Sequence, residues 1–282
     1  MPAIQLDRLK KQVIQLSQYY DKPSTFIAQL RDLLSYYANR TYRQGQTGKA
    51  WPVMQAYRVP LPVLHQIVSA VFQQANKNYL AILSLCDSLW LEPYLESRLL
   101  AALIIGQLPS DNFEPILERI KSWGQTTKDE AVLDALYSEG LKTLRNEYPD
   151  LILELAKSLS TAPELISQKS GIRLLFPLLD QPGFENMPVI FRLLTPLLLK
   201  APIELTSDLL QAIQRLARLS PTETAYYLKQ LMSSTIGLRT SVLIRQSLSA
   251  FPPDLQNSLR AASSGITEEA QMFKAQTPEP PQ

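Results

Sequence analysis

Apolar residues recur at helical spacing along nearly the whole chain, and no comparable run alternates with a period of two. Leu95, Leu99, Leu100, Leu103 and Ile104 follow the helical period, as do Leu209, Ile213, Leu216 and Leu219. A chain patterned in this way is restricted to packing helix on helix. The breaks carry proline with Asp, Ser or Thr close by, as in Leu108-Pro-Ser-Asp111, Tyr148-Pro-Asp150, Thr161-Ala-Pro163, Ala201-Pro202, Ser220-Pro221 and Phe251-Pro-Pro253. Proline is tolerated in the first turn of a helix, and a neighbouring side-chain oxygen can satisfy the exposed N–H groups there. These breaks read as helix starts.

Starts near Leu91, Lys128, Pro163, Pro202 and Gly237 recur at steps of about 35 to 40 residues, each step holding two helices and a short turn. A helix pair of this size cannot bury its apolar face until a neighbour stacks on it. The expected fold is therefore all-α, a HEAT-like or armadillo-type α-solenoid of stacked antiparallel helix pairs. At 282 residues the chain is long for one compact core, but an elongated array grows by repeats. We expect one repeat domain over 1–262, with an N-terminal helical cap at 1–39 and repeats over 50–262. The polar, basic link Arg40–Lys49 is expected to be a mobile loop, and 263–282 a flexible tail.

Composition removes several classes of function. Apolar residues make up 45% of the chain and charged ones 19%, enough apolar surface for a folded protein. Cys86 is the only cysteine and His65 the only histidine. No intramolecular disulfide, thiolate cluster or two-histidine metal site can form, so no metal and no cofactor are expected. No glycine-rich phosphate loop is present either. A reducing, cytoplasmic setting fits the cysteine usage. The charged N-terminus, with Asp7, Arg8, Lys10 and Lys11, does not resemble a signal peptide. Apolar runs such as 193–199 fall short of the roughly 20 residues needed to cross a bilayer, so no membrane association is expected; the protein is also expected to be a monomer.

The formal net charge of +2 is uninformative, but its distribution is not. Arg40, Arg43, Lys49 and Arg58 have no acid among them, and Arg215, Arg218, Lys229, Arg239 and Arg245 have only Glu223. The middle of the chain is acidic, from Asp111 through Asp134 to Glu154. If the C-terminal cations share one face they form a strip suited to phosphate contacts; if scattered, they are ordinary surface charge. Asp134 is equally two-sided. With Glu130 four residues before it and Ser138 four after, it lies either on a solvated acidic face or in a site. Glu96 and Arg98, two apart, cannot pair with each other and are expected to bond to neighbouring helices. His65 reads as a packing or capping residue, Trp51, Trp90 and Trp123 as packing between repeats, and Tyr36-Tyr37 and Tyr226-Tyr227 as packing.

The segment from Ser88 to Gly106, with Glu96-Ser97-Arg98 before a small, apolar helix, resembles the AlkD-like DNA alkylation repair family. Trp51 to His65 looks like that family's aromatic, proline-containing entry to its first full repeat, and Glu130-Ala-Val-Leu-Asp134 falls where the family has a tryptophan and an aspartate four residues apart. The resemblance covers roughly 50–232. It implies a HEAT-like array gripping duplex DNA by its backbone and excising N3- or N7-alkylated purines. Asp134 would then stabilise the oxocarbenium-like sugar, because an alkylated purine is already a cationic leaving group and needs little acid catalysis. By the same resemblance the family's arginine pair corresponds to Gln168-Lys169, and a later tryptophan to Arg215.

Two functions follow. In the first the protein is a DNA glycosylase or lesion binder with Asp134 as catalytic residue and Lys169, Arg215, Arg218, Lys229, Arg239 and Arg245 contacting DNA. The alternative is a non-catalytic scaffold holding a protein partner on its concave face.

Overall fold

A computed structural model describes residues 5–39, 54–75, 78–181, 183–234 and 236–262. The loop expected over Arg40–Lys49, Trp51 and the tail from 263 to 282 lie outside the described residues. Among those described there are fifteen α-helices and no strand; the only extended pairing is an isolated bridge between Gln55 and Tyr94. The contacts divide the chain into two compact units, 1–151 and 152–282.

The first unit begins with α1 (Leu6–Ser17), α2 (Pro23–Tyr37), α3 (Leu61–Ala75) and α4 (Tyr79–Trp90). It continues with α5 (Leu95–Ile105), α6 (Glu114–Thr126), α7 (Glu130–Ser138) and the short α8 (Lys142–Glu147). α9 (Pro149–Ser160) spans the division between the units. Alternate helices pack on one another: α1 on α3, α3 on α5 and α5 on α7, while α4 packs on α2 and most extensively on α5. α5 sits inside this arrangement, and Leu100, Ala101, Ala102, Ile104 and Ile105 are all fully buried. Burying each leucine or isoleucine of such a set contributes roughly 1.5–3 kcal/mol, so α5 holds the unit together.

Two glycines allow a close approach, one to a backbone and one to a side chain. A Cβ on Gly106, at the end of α5, would fall 1.7 Å from the carbonyl oxygen of Glu139. Thr143 closes the same contact by donating its hydroxyl to Gly106 O at 2.7 Å. At Gly124 in α6 a Cβ would meet the Tyr137 hydroxyl of α7 at 2.3 Å.

The second unit contains α10 (Leu165–Leu179), α11 (Met187–Lys200), α12 (Thr206–Leu219), α13 (Pro221–Met232), α14 (Leu238–Ser247) and α15 (253–262). Again alternate helices pack, α10 on α12 and α12 on α14. Phe191 of α11 stacks on Tyr227 of α13 with centroids 4.3 Å apart. The buried Thr240 hydroxyl donates to Leu198 O at 2.6 Å, tying α14 to α11. Burial pushes the Tyr227 phenol up to about 12.

The periodic helix starts survive in the structure. α5, α7, α10, α12 and α14 begin at Leu95, Glu130, Leu165, Thr206 and Leu238, each one to four residues beyond the expected position. Their capping differs from expectation. α2, α6, α11 and α13 carry proline in the first turn with no side-chain cap. Proline has no N–H and presets the helical φ, so it removes the need it was expected to share with Ser or Thr. Side-chain caps occur at α4, where Asn78 accepts from Ala81, and at α7, where Asp129 accepts from Ala131 and Val132. Two prolines, Pro177 and Pro196, lie inside α10 and α11 without ending them.

Candidate nucleic-acid interface

In the first unit Asp134 is exposed on α7, as is Glu130 one turn earlier. Val132, Leu133, Leu136 and Tyr137 take the opposite, buried side of the helix. The apolar period thus directs the aspartate outward, while Asp129 fixes where the helix begins. The Asp129 carboxylate is itself buried; Oδ1 accepts from Ala131 and Val132, and Oδ2 from the N–H of Met54 at 3.4 Å.

Glu96 performs a similar task for α5. It is 2% exposed and accepts from three consecutive backbone N–H groups, those of Tyr57 at 3.0 Å, Arg58 at 2.5 Å and Val59 at 3.4 Å. Gln55 O accepts from Leu95 N–H at 2.8 Å, so the segment 54–59 lies against the starts of both α5 and α7. Arg58 adopts a left-handed φ of 60° to present its N–H to Glu96. The partner of Glu96 is therefore a connecting segment, where a neighbouring helix was expected. Arg98 lies with its guanidinium 5.1 Å from the Trp90 ring centre, donating to Glu92 O at 3.4 Å. Burial pushes Arg98 down, outweighing the opposing effect of the Asp129 carboxylate.

Trp90 and Trp123 are buried and stack almost parallel, with centroids 4.5 Å apart, so they act in packing. Tyr57 stacks on Tyr94, and burial with the hydrogen bond between the two hydroxyls pushes Tyr57 up to about 12. His65 is exposed in the second turn of α3, neither buried nor capping, because Val63, Leu64, Ile67 and Val68 occupy the packed face. Tyr227 is packed as expected, whereas Tyr226 and Tyr36 are exposed.

In the second unit two of the expected cations lie on one seam, between α10 and α12. Lys169 Nζ is 3.8 Å from Asp208 Oδ2. Arg173, one turn further along α10, donates from Nε to Asp208 Oδ1 at 2.5 Å. Arg215 of α12 reaches Asp180 at 3.2 Å, donates to Gln211 Oε1 at 3.3 Å and covers the Phe176 ring at 4.1 Å. Arg218 is exposed one turn beyond Arg215, and Arg239 and Arg245 are exposed on α14. Lys229 sits on α13, outside the α10–α12–α14 row, and donates to the Ser258 hydroxyl of α15 at 2.5 Å. Gln168, beside Lys169, donates its amide to Ala162 O at 2.8 Å.

Arg173 and Asp208 went unnoticed in the sequence, though a signal was there. Lys169, Arg173, Phe176 and Asp180 fall on one side of α10, and Asp208, Gln211 and Arg215 on one side of α12, each at helical spacing. Two stripes carrying opposite charges are suited to face each other. Among the described residues no group of three His, Cys, Asp or Glu side chains is placed to hold a metal ion, and no helix is long and apolar enough to cross a membrane.

A sequence profile described as DNA alkylation repair enzyme matches residues 33–217, which spans the end of α2, all of α3 to α11, most of α12, and all of the residues from Glu96 to Arg215 discussed above. No curated protein and no solved structure matches the chain significantly. The match takes in more than half of the sequence, and with it both the Asp134 helix and the α10–α12 seam: the chain belongs to the DNA alkylation repair enzyme family.

Proposed function

We propose that the protein is a HEAT-like helical-repeat member of this family that binds duplex DNA and excises N3- or N7-alkylated purines, with Asp134 as its catalytic carboxylate. The observation that carries this reading is the outward placement of Asp134 on a helix whose start is fixed by the buried cap Asp129. Family membership and the packing of alternate helices support the rest. An N3- or N7-alkylated purine departs as a neutral base once the glycosidic bond breaks, leaving positive charge on the sugar. A fixed carboxylate beside that sugar stabilises the charge where it develops and orients the attacking water. Lys169, Arg215, Arg218, Lys229, Arg239 and Arg245 supply the phosphate contacts in this reading.

Release of 7-methylguanine or 3-methyladenine from methylated duplex DNA tests the chemistry. Asp134→Asn is expected to slow release about a hundredfold or more while leaving duplex affinity at low salt within a few-fold of wild type. Wild-type protein that binds but releases no base would be a lesion binder without excision. A scaffold for a protein partner is the second reading, favoured by the pairing of Lys169 and Arg215 with Asp208 and Asp180, which reduces the positive charge offered to DNA. Absence of duplex binding at low salt would decide for it.

A further inference from the structure

The α10–α12 seam contains an ion pair that helix packing alone does not explain. Arg173 is 2% exposed and Asp208 1%, among fully buried Ile172, Leu174 and Leu175. Removing two charges from water costs desolvation that their attraction does not reliably recover, and apolar side chains of similar volume hold helices together at least as well. Lys169 lies on the same side of α10, partly exposed at 27%, with Nζ 3.8 Å from Asp208 Oδ2. That buried oxygen makes no hydrogen bond, and 3.8 Å is an ion-pair separation beyond hydrogen-bond reach. A partly exposed lysine therefore lies beside a buried carboxylate that Arg173 anchors through its other oxygen.

A lysine recruited by a phosphate loses side-chain freedom, and one already oriented loses less. We propose that Asp208 is a positioning residue for nucleic-acid binding: from beneath the surface it aligns Lys169 on a backbone phosphate of duplex DNA, with Arg173 holding the carboxylate in place. The inference rests on the DNA-binding reading above. Net charge makes the opposite forecast, since deleting a negative charge next to a phosphate site would by itself tighten binding. The two ideas are separated by sign.

The test uses the full chain and a fluorescently labelled duplex, with affinity measured by anisotropy over a series of salt concentrations. If wild-type protein fails to bind at low salt, the DNA-binding reading falls and this inference with it. If it binds, the double variant Arg173→Met/Asp208→Leu is expected to melt at or above the wild-type temperature, bind several-fold more weakly, and show a slope of log K against log salt smaller by about 1. Lys169→Ala should lose the same amount in wild type and nothing further in the double variant. Should the double variant fail to fold, Asp208→Asn with its helix content checked by circular dichroism gives the same readout. Tighter or unchanged binding in either folded variant, losses that add, or a Lys169→Ala slope equal to wild type would each overturn the proposal.

Discussion

The two units satisfy buried carboxylates in different ways. In residues 1–151 Glu96 and Asp129 are held by backbone N–H groups, three for Glu96 and three for Asp129. In residues 152–282 Asp208 is held by the side chains of Arg173 and Lys169. Amide donors carry no net charge and belong to the chain itself, so they fix a segment in place and ask only for an acceptor of the right shape. Cationic partners make the carboxylate one member of a charge network whose balance can be disturbed from outside. Glu96 is accordingly architectural, Asp129 is chiefly so while its charge also bears on Arg98, and Asp208 is linked to what happens at the surface.

Substitution can break this contrast. The largest effect is expected for Asp208→Ala, which removes the buried carboxylate that the Arg173 guanidinium pairs with and should cost about 3–5 kcal/mol in urea unfolding. A loss below about 1 kcal/mol would mean that Arg173 finds another partner easily, and the contrast would fail. Glu96→Ala comes next. It deprives the N–H groups of Tyr57, Arg58 and Val59 of their acceptor and should cost about 2–3 kcal/mol, with water recovering part of the loss at this half-buried segment. The smallest effect, and the sharpest distinction, is at Asp129. Asn is as good an N-cap as Asp, so Asp129→Asn should stay within about 0.5 kcal/mol of wild type while Asp129→Ala loses about 1 kcal/mol or more. Asparagine at 208 should give no such rescue, because there the charge itself is what Arg173 requires.

Local signals in the sequence located the helices well. The spacing of proline and apolar residues placed the starts of α5, α7, α10, α12 and α14 within four residues, since helical period and proline's fixed φ act over a few residues. Side-chain roles were legible only where one helix decides them. Asp134 facing out follows from Val132, Leu133 and Leu136 facing in. The partner of Glu96 was not legible, because it lies 37 to 39 residues away in a segment whose backbone conformation, including the left-handed Arg58, has no sequence mark. Lys169 and Arg215 emerged from charge and resemblance, yet the acids that hold them did not, since nothing within α10 announces that Asp208 of α12 will face it. Arg173 is legible from its setting: an arginine inside Ile172–Leu179 has to find an anion or reach water.

The stacked indoles carry a practical consequence for any solution study. Trp90 and Trp123 belong to the first unit, and the third tryptophan, Trp51, also precedes residue 151. Intrinsic tryptophan emission and the near-ultraviolet dichroism of the paired rings are therefore silent about residues 152–282, whereas far-ultraviolet dichroism sums helices from both units. Followed together through a denaturant titration, the optical signals distinguish one cooperative transition from two, and they assign the tryptophan-reported step to the half of the chain that carries Asp134.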